Sequence, residues 1–146
     1  MAQLPDHIAD EIQELCEDGD AFAEVENYRE AIEKYDAAWR LLPDRKHDWE
    51  AATWILTAIG DAYFLAGDFP AAKHALSNAM HAPDAIGNPF IHLRLGECQF
   101  ETGNVARAAD ELIRAYAVAG PEIFAAEDPK YLDFLATRAD GIERPD

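Results

Sequence analysis

Twenty-nine acidic residues, five histidines and two cysteines are the side chains in this chain that could do chemistry. His74 and His81 lie two helical turns apart, a spacing that could start a metal site, but exposed polar positions on a helix account for them more simply. Cys16 and Cys98 are far apart, with neither metal-ligand spacing nor the look of a disulfide framework, so reduced thiols are expected. Acidic pairs such as Glu14 and Asp18 sit at helical spacing among like charges. They do not form a tuned acid–base couple, in which one carboxyl is shielded and the other is not. Zinc-protease, phosphate-loop, serine-hydrolase and dinucleotide motifs are absent from the sequence. The residues therefore predict no catalysis, no metal and no cofactor; what remains is binding by charge.

That charge is large and unevenly placed. The formal net charge is −17 over 146 residues. The first 36 residues hold twelve acids, from Asp6 to Asp36, against Arg29 and Lys34 as the only bases. Such a surface repels nucleic-acid phosphates and anionic membranes, so neither partner is expected. It attracts basic proteins and speeds their encounter. The opening residues Met1 to Asp6 have no basic and apolar leader pattern, and no apolar run reaches spanning length. A cytoplasmic location is the expectation.

The elements that must position these acids are helices. Apolar residues recur at three and four, strand alternation is missing, and turn signals cut the chain into short pieces. Helices are expected from Pro5 to about Glu26, Tyr28 to Leu42, Asp48 to about Ala66, Asp68 onward, Asn88 to Gly103 and Asn104 to about Ala119. A last one runs from Lys130 to about Ala139. Asp48, Asp68, Asn88, Asn104 and Asp128 read as helix caps, with Pro70, Pro89 and Pro129 tolerated in first turns.

An internal repeat runs through these helices. Leu56, Ile59, Gly60, Tyr63, Gly67, Phe69, Ala72, Leu76 and Ala79 recur 36 residues on as His92, Leu95, Gly96, Gln99, Gly103, Val105, Ala108, Leu112 and Ala115. An earlier copy keeps Leu15, Gly19, Phe22, Tyr28, Ala31, Tyr35, Ala38 and Pro43. The small residues permit close helix approach, the large ones fill the gap, and Gly67 and Gly103 supply turns with positive φ.

This pattern resembles the tetratricopeptide repeat (TPR), a helix–turn–helix unit of about 34 residues. The resemblance implies an all-α fold, a right-handed superhelix of three helix-turn-helix repeats at about 12–45, 53–86 and 89–122, with a C-terminal capping helix at about 129–139, all in one domain. The step of 41 residues from Tyr28 to Phe69, and His92 and Gln99 at positions the family fills with large apolar residues, depart from it. In the family, positions 2, 5, 9 and 12 of each repeat face a ligand groove. Carried onto this chain they are Gln13, Cys16, Asp20 and Ala23; Trp54, Thr57, Asp61 and Phe64; and Phe90, Leu93, Glu97 and Phe100. Asp20, Asp61 and Glu97 would form an acidic ladder beside Trp54, Phe64, Phe90, Leu93 and Phe100, with Glu101 adding a charge. Such a groove suits a basic protein or peptide and repels the C-terminal carboxylates that chaperone-binding members of the family capture.

Three functions fit. The first is an immunity protein that neutralises a basic bacterial toxin; residues 122–132 also resemble small bacterial TPR proteins encoded beside secreted toxins. The alternatives are a secretion chaperone holding a translocator or effector segment, and a structural module that self-assembles, for instance as a homodimer.

Overall fold

The computed structural model describes residues 3–146. Its elements are α1 (Asp6–Glu24), α2 (Tyr28–Leu41), α3 (Glu50–Leu65), α4 (Phe69–Ala79), α5 (Pro89–Glu101), α6 (Val105–Ala119) and α7 (Pro129–Ala136), with single 3₁₀ turns at Lys46–Asp48 and Pro121–Phe124. No strand occurs among the described residues. The chain divides into two compact units, Met1–Pro83 and Asp84–Asp146.

In the first unit α1 pairs with α2 and α3 with α4, and α2 packs on α3. Its core is built from Ile12, Tyr35, Ala38, Leu42, Ile55 and Ile59. In the second unit α5 pairs with α6, and the 121–124 turn and α7 pack around that pair. Leu112, Ala115, Phe124, Leu132 and Leu135 are buried there.

One contact recurs in all three hairpins. A Cβ added to Gly19 would stand 2.5 Å from Tyr35 Cε1, one on Gly60 2.5 Å from Leu76 Cγ, and one on Gly96 2.8 Å from Leu112 Cγ. Each time the glycine of the first helix receives the large side chain sixteen residues on, which lets the two helix axes approach. Gly60→Ala gains about 1 kcal/mol of helix propensity, yet it overlaps a Leu76 that is wholly buried and cannot swing out. We expect a net loss of about 1–3 kcal/mol, read as a lower denaturation midpoint; an unchanged midpoint contradicts this packing.

Helix starts follow the sequence signals at four places. Asp68 accepts from Ala71 N, Asn88 from Phe90 N and Ile91 N, Asn104 from Arg107 N, and Asp128 from Lys130 N. Asp48 does not cap α3, contrary to expectation. Arg45, at φ 60°, opens the 46–48 turn, and Trp49 takes the cap position with no side-chain bond to the helix.

Candidate protein-binding site

The first unit presents a stripe along α3. Trp54 is 46% exposed and lines a cavity of about 370 Å³ with Leu4, Asp48, Trp49 and Glu50. Two turns further on, Asp61 lines a recess of about 380 Å³ with Asp20, Glu24, Tyr35 and Leu65. Leu65 is 48% exposed, a large apolar side chain beside three carboxylates. The structure thus brings Asp20 and Asp61 together although 41 residues separate them, because α1 and α3 both border this recess.

Asp20 is held in place. The Tyr35 hydroxyl donates to Asp20 Oδ1 at 2.6 Å. Burial, then that bond and the Asp20 charge, push the Tyr35 hydroxyl well above its ordinary pKa, so it remains a donor. Burial, with a further push from Asp20, raises the Cys16 thiol to about 12, which leaves it protonated and unreactive. Thr57, on the same stripe, spends its hydroxyl on Thr53 O at 2.6 Å. Phe64 packs edge-on against Phe69 at 5.5 Å, at the turn of its own hairpin.

The second unit treats its candidate residues differently. Leu93 is 1% exposed and Glu97 fully buried. The expected acidic ladder therefore loses its third rung: Glu97 meets Arg94, not solvent. Arg94 Nη1 donates to Glu97 Oε1 at 2.8 Å and also pairs with Glu127 from the C-terminal stretch. The same guanidinium lies 5.0 Å over the Phe90 ring. Phe100 packs on Tyr131 and Phe134, with ring centres 5.6 and 5.1 Å apart. Glu101 accepts from the Tyr131 hydroxyl at 3.1 Å and pairs with Lys130 at 2.9 Å. Phe90, Glu97, Phe100 and Glu101 are thus engaged by the chain itself.

Burial, reinforced by a bond to Glu127, pushes the Glu97 carboxyl up to about 9 against the opposing pull of Arg94. Glu97 is then protonated near neutrality. Its Oε2, which has no partner as a carboxylate, becomes a donor that the Glu127 carboxylate can accept from.

His92 answers one departure from the repeat pattern. Gly87 N donates to its Nε2 at 2.8 Å, so Nδ1 carries the proton and donates to Glu111 at 2.6 Å. The polar ring stands where an apolar one is usual because it ties the 85–88 loop to α6.

Residues 57–122 match the sequence model of the tetratricopeptide repeat. That stretch is built on tetratricopeptide repeats. Solved structures of similar fold include TPR domains. The Yersinia enterocolitica type III secretion chaperone SycD, solved with a peptide of the translocator YopD, is 19% identical, with a TM-score of 0.68 over 88% of this chain and 92% of that one. The first TPR domain of human RPAP3 is 19% identical, with a TM-score of 0.68 over 90% and 97%. PcrH with the chaperone-binding region of PopB is 18% identical, with a TM-score of 0.63 over 94% and 96%. At these identities the likeness concerns the TPR fold. A search of curated proteins found no match. No helix among the described residues is long and apolar enough to cross a membrane.

Proposed function

We propose that this chain is a non-enzymatic TPR module that binds a basic segment of a partner protein along α3 and α1 of its first unit. The observation that carries this reading is the shared recess of Asp20 and Asp61 beside exposed Leu65, with Asp61 two turns along α3 from half-exposed Trp54. A carboxylate pair next to apolar surface suits an arginine or lysine flanked by apolar side chains. The net charge of −17 favours the same partners at long range. The corresponding residues of the second unit serve their own C-terminal stretch, which concentrates binding on the first unit.

The partner class has two candidates. The charge favours an immunity protein that occludes a basic toxin. The likeness to SycD, solved with a peptide of the translocator YopD, and to PcrH, solved with the chaperone-binding region of PopB, favours a secretion chaperone. A photo-crosslinking residue at Leu65, on the recess, tests both against a control at Ser77, exposed on α4. We expect crosslinks from position 65 alone, to a stretch rich in arginine or lysine. If that stretch lies in a folded toxic domain, the immunity reading holds; if it lies in an unfolded segment, the chaperone reading does. Equal crosslinking from Ser77, or crosslinks only to a second copy of this chain, would overturn the site.

A further inference from the structure

The cavity at the start of α3 lies apart from the Asp20–Asp61 recess and has its own chemistry. Two indoles, Trp49 and Trp54, and two carboxylates, Asp48 and Glu50, line it with Leu4 and Ala9, and no basic residue does so among the described residues. The Trp49 Nε1 is enclosed, so that ring offers carbon rather than a donor to the space. Trp54 leaves nearly half its surface open, so its indole face is accessible to a group that enters the cavity.

A helix start ordinarily attracts anions, through about half a unit of positive charge. Here two carboxylates outweigh that half charge, and the cavity turns cationic in preference. We infer that it takes the guanidinium of an arginine in the bound segment, stacked on the Trp54 indole and paired with Asp48 and Glu50. This rests on the proposed function and adds to it a second, separate contact for the same segment. A planar guanidinium fits better than an ammonium, since it stacks and forks at once. Trp54 and Asp61 are seven residues apart on one helix, roughly 10 Å at 1.5 Å per residue. An extended segment covers that distance in about three residues at ~3.1 Å each. The geometry therefore selects segments with two basic residues three apart.

The test is a titration of the whole ¹⁵N-labelled chain with the peptide acetyl-Gly-Arg-Gly-Gly-Arg-Gly-amide, read at the three indole N–H signals. Trp49 and Trp54 should shift saturably. Trp39, which packs on His47 at 5.3 Å, should not. Replacing both arginines by citrulline, which keeps the shape and removes the charge, should abolish the shifts, and Trp54→Ala should weaken the arginine peptide at least fivefold. If the amides near Asp20 and Asp61 respond while both indoles stay still, the cavity assignment falls and the proposed function stands. If neither region responds, both fall. If the citrulline peptide shifts the indoles equally, the cavity is an apolar slot and the cation assignment is wrong.

Discussion

Arg94→Met should destabilise the second unit by roughly 3–5 kcal/mol, the usual cost of leaving a buried charge without its partner. Arg94 is 7% exposed and holds two carboxyls, Glu97 and Glu127, while its guanidinium lies over Phe90. Methionine keeps the stem's packing and removes only the charge and its forked bonds. With Glu97 protonated, the charge left behind is that of Glu127, whose side chain is 12% exposed. Thermal or urea unfolding of the variant checks this, and an unchanged midpoint would show that the triad contributes nothing.

The same triad gives a pH dependence of definite sign. Glu97 has a folded pKa of about 9, well above the 4.5 of a free glutamate. A group raised in this way contributes stability that is complete below the ordinary value and is lost as pH climbs through the folded one. Stability should therefore decline from about pH 5 to pH 9 at a nearly constant slope, and level off beyond the folded value. Glu97→Gln keeps an oxygen for Arg94 and supplies N–H to Glu127 at every pH. It should flatten this dependence and leave the variant more stable than the parent at pH 9. A parallel decline in both proteins would place the titration elsewhere.

The repeat was readable because its determinants are local. A glycine, a large residue sixteen positions on and a capping Asp, Asn or Gly obey spacing, and spacing is what a sequence displays. The turn of the first hairpin hid one such position. Glu26 sits at φ 60°, where Gly67 and Gly103 stand in the other repeats at φ 87°, and nothing in its type announces that conformation. The start of α3 was misplaced because a left-handed Arg45 winds an extra turn ahead of the helix.

The site was legible only in part. Helical spacing placed Trp54 and Asp61 on one stripe, and the resemblance put Asp20 on the facing helix; the recess joins Asp20 and Asp61. Spacing could not reveal that Glu97 meets Glu127 through Arg94, since 33 residues separate Arg94 from Glu127 and only the path of the C-terminal stretch unites them. One signal was present: a charged Arg94 directly between Leu93 and Leu95 called for a buried partner.

The second large effect concerns binding. Asp20→Asn with Asp61→Asn removes two of the three carboxylate charges of the recess, keeps the side-chain shapes and leaves an acceptor for the Tyr35 hydroxyl. Close charge pairs at protein interfaces couple by about 1.5 kcal/mol or more each, so losing two should weaken a basic segment roughly 100-fold. Calorimetric titration of the segment crosslinked at position 65 into the parent and the doubly neutralised chain, at one fixed salt concentration, measures this directly. The account predicts that fall in affinity with the fold intact by circular dichroism. Equal affinity for the two chains would contradict it.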